Sequence, residues 1–245
     1  MSIYDKRKME EILSGNSYQG RGIVIGTTPE GTKAAIAYFI MGRSDNSRNR
    51  VFRKEADDVI IYPFDESKVE DPSLIIYAPV RTLDNYLIVT NGDQTDTVRD
   101  FVKEGRAFKT ALDTRRFEPD GPNWTPRISG MLTFGKNLES KGNFTYEMSI
   151  LKSIDAIGSD CARYIWSYPA TAGLGHFIHT YERDGDPLPT FQGEPRRVDI
   201  PSDPKELFEG IWNTLDEDNK ISLYVRYTDL LTGEYEDMMI NKNEE

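Results

Sequence analysis

The sequence predicts an α+β fold built from two groups of mainly antiparallel strands, and two observations carry that prediction. Short strand-like segments bounded by Gly, Pro, Asn or Asp recur through the first third and again from residue 128 to 181, and the short connections of the second group make it mostly antiparallel. Apolar positions at helical spacing dominate only between these groups and after them, apart from a short stretch at the start. Elements in this order suit two stacked sheets covered by helices, and they equally suit a two-layer α+β arrangement. At 245 residues, with no internal repeat and no low-complexity linker, the chain is expected to form a single domain over 1–245 with a substantial core.

Each element has its own signal. Met9, Ile12 and Leu13 predict a helix over 4–13, stopped by Ser14-Gly15, so that an N-terminal helical segment occupies 1–15. Strands follow at 22–27, 33–41, 58–62, 74–80 and 86–90. Val98, Phe101, Val102, Phe108, Ala111 and Leu112 give helical spacing across 97–115, with Gly105 as a break between two helices. The second strand group reads 128–134, 144–151, 162–168 and 175–181. After a loop at 184–204 rich in Pro, Gly and charge, Asp203 can cap a helix, Pro204 suits its first position and Glu206 completes a capping box. Leu207, Phe208, Ile211, Trp212 and Leu215 then form one stripe that should pack on a sheet. Two last strands, 221–228 and 235–240, flank the turn Leu231-Thr232-Gly233, and the charged tail 241–245 is expected to fray.

Composition narrows the function. The chain carries 41 acidic and 30 basic residues, a net −11, and so should repel a nucleic-acid polymer. No apolar run reaches the ~18 residues of a membrane span, and charged residues stand where a signal peptide has its apolar segment, so no membrane partner and a cytoplasmic location are expected. Cys161 is the single cysteine, expected to be a buried structural thiol, and the glycosylation-like triplets at Asn123 and Asn143 are chance matches in an unsecreted chain.

Against this acidic background, 43–54 holds five basic residues (Arg43, Arg48, Arg50, Arg53, Lys54) and one acidic residue, Asp45. Arginine forks with Ser and Asn donors suit one compact phosphate or carboxylate, while a solvated, salt-bridged loop is the alternative. A Walker loop, a Gly-x-Ser-x-Gly elbow and a Cys-x-x-Cys pair are all missing from the sequence, and Gly20, Gly22 and Gly26 miss the dinucleotide fingerprint by one residue. The two histidines, His176 and His179, are three apart on an expected strand, so alternation points them to opposite faces and no shared metal is expected. Thr90-Asn91-Gly92-Asp93-Gln94-Thr95-Asp96 joins a strand to a helix and can offer amides and oxygens to a ribose or phosphate, or serve only as an Asn-Gly turn with a helix cap. Thr125-Pro126-Arg127 opens a strand, and Tyr77 and Glu118 stand near element ends where a hydroxyl or carboxylate can enter a cleft.

Read in order, these pieces resemble the archaeal-type IMP cyclohydrolases. The resemblance rests on Gly20-Arg21 with Ile25-Gly26, Ala37-Tyr38 leading into Gly42-Arg43-Ser44 and Asn49-Arg50, and Tyr77 with Val80-Arg81. It continues through Val89-Thr90-Asn91-Gly92 to Thr95-Asp96 and closes on Thr125-Pro126-Arg127-Ile128, covering roughly residues 20–135. It implies a four-layer αββα sandwich of two mainly antiparallel sheets, like that of the N-terminal-nucleophile hydrolases but without the N-terminal nucleophile. It also implies ring closure of 5-formamidoimidazole-4-carboxamide ribotide to IMP with loss of water, a reaction of the cyclic-amidine hydrolase class in purine biosynthesis, with no cofactor and no metal.

On that resemblance Arg43 and Tyr77 are the expected donors to the formyl oxygen, and Glu118 the proton acceptor or the group that orients the carboxamide. Ser44, Asn49 and Arg50 are expected to hold phosphate or ribose, with Asn91, Gly92, Asp93, Thr95 and Asp96 as another wall and Thr125 and Arg127 completing it. The N-terminal helix and the long C-terminal half go beyond the compact archaeal pattern and are expected to build a homo-oligomer interface or reshape the pocket. Two other functions fit the same residues: a related amidohydrolase or cyclase acting on a purine or imidazole ribotide, and a non-catalytic nucleotide-binding protein.

Overall fold

The computed structural model of the protein describes residues 2, 4–69, 76–136 and 142–245. One sheet has six antiparallel strands in the order β11-β10-β1-β2-β12-β13: β1 (Arg21–Thr27), β2 (Lys33–Met41), β10 (Leu174–His179), β11 (Arg196–Asp199), β12 (Lys220–Asp229) and β13 (Tyr235–Asn241). The other has seven, in sequential order: β3 (Val51–Glu55), β4 (Asp58–Tyr62), β5 (Val80–Leu83), β6 (Tyr86–Thr90), β7 (Arg127–Phe134), β8 (Phe144–Ser153) and β9 (Cys161–Pro169).

Strand alternation sorts side chains into layers. Along β2, Ala34, Ile36, Tyr38 and Ile40 face the other sheet and pack with Ile23, Ile25, Phe52, Val89, Leu132 and Tyr146. Ala35, Ala37, Phe39 and Met41 face outward, beneath α1 (Met9–Leu13) and α5 (Pro204–Thr214), which contribute Met9, Leu13, Leu207, Phe208, Ile211 and Trp212. On the far face, α3 (Gln94–Lys103) and α4 (Phe108–Asp113) cover Ile88, Met131 and Leu151 with Val98, Val102, Phe108, Ala111 and Leu112. The result is a helix, sheet, sheet, helix sandwich, which settles the choice between stacked sheets and a two-layer fold.

Several elements differ from expectation for visible reasons. The helix expected over 4–13 is only Met9–Leu13. Arg7 instead bridges Val198 of β11 and Lys6 pairs with Asp199 at 2.8 Å, which holds these residues against the sheet edge, after a turn closed by Asp5 N on Ser2 O. The basic stretch at 43–54 is not one loop: α2 (Asp45–Arg48) and β3 occupy most of it. β3 escapes a hydrophobic reading because only Val51 and Phe52 are buried and three charged residues follow, a common dressing for an edge strand. β11 hides in the same way, with Val198 alone fully buried. The strand expected at 74–80 starts at Val80, with 74 and 75 outside the described residues. Asp203 caps α5 through Lys205 N at 2.8 Å, whereas Glu206 faces Lys8 at 3.5 Å and closes no capping box.

The tail does not fray. Lys242–Glu244 forms a 3-10 turn, Asn241 accepts from Phe52 N at 2.7 Å and donates to Phe52 O at 3.1 Å, and Glu244 pairs with Arg53. Cys161 is half-buried on the edge strand β9 rather than fully buried. His176 faces inward, where its Nδ1 meets the Tyr146 hydroxyl at 2.6 Å, and His179 turns the other way beside Phe177. Among the described residues no helix is long and apolar enough to cross a membrane.

Candidate functional site

At one end of the sandwich the two sheets part around a cavity of about 680 Å³. The start of β1, the chain leaving β2, the turns after β6 and β10 and the start of β7 all reach it. Of the residues singled out by sequence, Arg43, Ser44, Arg50, Tyr77, Asn91, Gly92, Asp93, Glu118, Thr125 and Arg127 line this cavity together.

Three others do not. Asn49 is turned into a backbone clamp, donating to Asp65 O at 2.8 Å and accepting from Asp65 N at 2.7 Å. Thr95 is buried in a hydroxyl knot with Thr90 at 2.6 Å. Asp96 faces Arg81 at 2.9 Å and Arg99 at 2.8 Å on the outside of α3.

Arg127 organises one wall. Its Nη1 lies 2.6 Å from Gln94 Oε1, 2.7 Å from Asp93 Oδ1 and 3.2 Å from Glu118 Oε1. A Cβ at Gly92 would collide with Arg127 and Gln94, so glycine is the residue that lets this arginine cross the turn. Asn91 is occupied by the wall itself, its Oδ1 accepting from Ile128 N at 2.8 Å and from Gln94 Nε2 at 3.0 Å and its amide donating to Pro126 O at 2.8 Å. It shapes the wall with little left to offer a ligand. Burial would push the Asp93 carboxyl up, but Arg115 and Arg127 outweigh it and hold the group below its usual value. Glu118 goes the other way: burial pushes its carboxyl up against the pull of Arg127 and Arg21.

Arg43 sits at the rim, bonded to Asp184 Oδ1 at 2.6 Å and Gly185 O at 2.9 Å, with its guanidinium over the Tyr18 ring. Arg21 and Arg50 are different. Arg50 is 8% exposed, and its Nε is buried without a hydrogen-bond partner among the described residues. Burial and the neighbouring Arg21 charge both lower its pKa, and neither arginine of this like-charged pair has a carboxylate contact among the described residues. Tyr77 meets Tyr38 hydroxyl to hydroxyl at 3.1 Å beside them.

On a third side Thr125 donates through its hydroxyl to Asp120 Oδ2, its amide donates to Asp120 Oδ1 at 2.7 Å, and its hydroxyl oxygen lies 2.5 Å from Tyr181 Oη. Tyr181 stacks on Tyr18 at 5.9 Å.

Sequence reasoning gives no site role to Tyr18, Arg21, Asp120, Asn123 and Tyr181, all of which line the cavity. Arg21 did carry a signal. It has the parity of Ile23 and Ile25, which face the inter-sheet core, and a cation in core register at a strand end asks for a partner. With four arginines, three carboxylates and a ring of phenols, the cavity can take a small anionic molecule, hold it by charge and hydroxyl donors, and offer it one carboxyl of raised proton affinity.

Comparison with known proteins agrees with this chemistry. The profile of the family described as "IMP cyclohydrolase-like protein" matches residues 18–234. The chain is 28% identical over 169 residues to the IMP cyclohydrolase of Methanococcus aeolicus, covering 67% of this chain and 74% of that protein. It is 28% identical over 201 residues to that of Methanosphaera stadtmanae, covering 80% and 85% respectively. To the IMP cyclohydrolase of Methanopyrus kandleri it is 34% identical over 123 residues, a stretch that spans 49% of this chain and 60% of that protein. With the profile match running from the strand that carries Arg21 to the final hairpin, the chain belongs to the IMP cyclohydrolase-like protein family.

Proposed function

We propose that the protein is an IMP cyclohydrolase, closing 5-formamidoimidazole-4-carboxamide ribotide to IMP with loss of water. The observation that carries the reading is the pair Arg21 and Arg50, two cations without a carboxylate contact among the described residues, in a cavity that also presents Tyr77 and Glu118. An anionic ribotide supplies the counter-charge that these two arginines lack.

The reaction joins the carboxamide nitrogen to the formyl carbon of the same molecule, so alignment alone can contribute on the order of 7–11 kcal/mol. Arg50, with Ser44 and the rim residue Arg43, takes the phosphate. Arg21 and the Tyr77 hydroxyl face the formyl oxygen as negative charge develops there, a contribution of about 3–4 kcal/mol when well placed. Glu118 receives the proton that leaves the carboxamide nitrogen, and its raised proton affinity suits a carboxylate working near neutral pH. Arg127 and Asp93 fix the wall on which Glu118 stands.

The homo-oligomer and the cytoplasmic setting belong to the same proposal. The nine-residue edge strand β9, which carries exposed Tyr164, supports the first, and a single half-buried cysteine fits a reducing compartment. The test is a cyclisation assay on the purified protein without added metal, following IMP against Arg21→Ala and Glu118→Gln. IMP formation lost in both variants is the expected result. Bound nucleotide without turnover in the wild type would move the protein to a related ribotide enzyme or a binding function.

A further inference from the structure

The third wall of the cavity holds a directed chain of hydroxyls that the proposed mechanism does not use. The Asp120 carboxylate accepts both the amide and the hydroxyl hydrogen of Thr125. With its one hydrogen committed to Asp120, Thr125 Oγ1 can only accept from Tyr181, 2.5 Å away. The Tyr181 hydrogen is therefore committed too, and among the described residues Tyr181 Oη has no other partner. What Tyr181 has left for the cavity it lines is a lone pair. Tyr77 and the arginines present hydrogens to that cavity, so the Tyr181 corner has the opposite polarity.

We propose that Asp120 acts through Thr125 as a positioning residue that locks Tyr181 as a hydrogen-bond acceptor, and that this acceptor holds the carboxamide N–H of the ribotide. The proposal rests on the ribotide reading of the site. A group fixed as acceptor favours a ligand with an N–H at this point and disfavours an analogue that shows only lone pairs there, because two acceptors facing each other in a dry corner leave both unsatisfied. Held this way, the carboxamide nitrogen is presented to the formyl carbon in one orientation. Stacking of Tyr181 on Tyr18 keeps the ring from swinging away. Gly20, at φ +77°, allows the close approach, since a Cβ there would collide with Thr180 and Tyr181.

The chain can be reversed without changing its shape. In Asp120→Asn the amide oxygen still accepts from the Thr125 amide, while the amide nitrogen donates to Thr125 Oγ1. Thr125 then donates to Tyr181, whose hydrogen turns to the cavity and meets the ligand N–H donor to donor. IMP retains one N–H on the nitrogen that came from the carboxamide, so its binding reports on this corner without turnover. We expect Asp120→Asn to keep the wild-type unfolding temperature and to weaken IMP on the order of 10- to 100-fold. In a Tyr181→Phe background the same substitution should do almost nothing. Thr125→Ser should bind like wild type, whereas Thr125→Val frees the Tyr181 hydroxyl to turn and should weaken IMP, though by less than Tyr181→Phe, which keeps the test available if an Asp120 variant does not fold.

Asp120→Asn binding IMP as the wild type does, or losses that multiply in the double variant, would overturn the proposal. Wild-type protein that binds IMP with the expected pattern but forms none would leave the acceptor standing and remove the cyclohydrolase reading. Normal turnover with an indifferent Asp120→Asn would do the reverse. Wild-type protein that neither binds nor forms IMP overturns both.

Discussion

Tyr38, from the middle of β2, and Tyr77, from the chain leading into β5, touch hydroxyl to hydroxyl at 3.1 Å and so link the two sheets on the buried side of the cavity. In such a pair one hydroxyl donates to the other, and the recipient keeps a hydrogen free. Because burial raises the Tyr38 pKa well above its ordinary value, its phenol stays neutral and serves as a fixed dipole.

If the free hydrogen is the one Tyr77 gives to the formyl oxygen, Tyr77→Phe should lower kcat by about 100- to 1000-fold with little change in KM, as for loss of an oxyanion donor. Tyr38→Phe should cost no more than about 10-fold, since Tyr77 keeps its own hydroxyl. Steady-state kinetics on the two variants checks this; equal losses, or a loss confined to KM, would show that the pair anchors substrate and does not act on the transition state.

Glu118 sets the expected pH dependence. As the proton acceptor it must be ionised, and burial raises its pKa above the usual carboxylate range. Activity should therefore be full at higher pH and fall as pH drops through that raised value, with the acid limb of kcat/KM above the ordinary value near 4.3. Glu118→Gln should remove at least about 100-fold of kcat together with that limb. A limb unchanged in Glu118→Gln would assign the titration to another group.

Arg50 should show a conflict between stability and binding. A buried cation beside Arg21, without a carboxylate contact among the described residues, costs the empty protein free energy that an apolar side chain of similar length avoids. Arg50→Met is expected to stabilise the ligand-free protein by about 0.5–2 kcal/mol while weakening IMP at least about 10-fold. Thermal unfolding and calorimetric titration on the same preparations test both halves. A variant that is less stable and binds normally would make Arg50 a structural residue.

The two histidines predict a second pH effect, on stability alone. Burial lowers His176 to about 4 and His179 to about 3. Both are neutral in the fold and become protonated near 6.5 when the chain unfolds, so the unfolded state binds more protons below that pH. Stability should be full above pH 6.5 and fall by about 1.4 kcal/mol per pH unit per histidine on acidification. The loss should end near pH 4 for His176 and pH 3 for His179. Ring-proton shifts across this range give the answer directly. Either histidine titrating near 6.5 in the folded protein would contradict its burial.

Much of this architecture was legible because the sheets are buried on both faces and their strands are punctuated. β2, β4 and β6 begin and end where the sequence placed them, as their apolar runs are bounded by turn residues. The edge elements were not legible. β3 and β11 hold few buried residues and owe their existence to partners far away in sequence, such as the Asn241 side chain on the Phe52 backbone.

The site followed the same division. Residues on turns or at strand starts, such as Gly92 and Arg127, announced themselves through composition. Asp120 and Tyr181 have no local signature: what makes them notable is Thr125 between them, bonded to Asp120 and, across 56 positions of sequence, to Tyr181. Thr95 and Asp96 share a motif with Gly92 but lie past the turn, where the helix rotates them away from the cavity.

The C-terminal turn has a practical meaning at the bench. Asn243 donates to the backbone carbonyls of Arg48 at 2.8 Å and Arg50 at 3.3 Å, so the last few residues act as a clasp on the loop that aims Arg50. Trimming them to tidy a crystal lattice, or grafting a purification handle onto them, would slacken the arginine without touching the cavity, and a preparation handled in this way could be mistaken for an inactive enzyme.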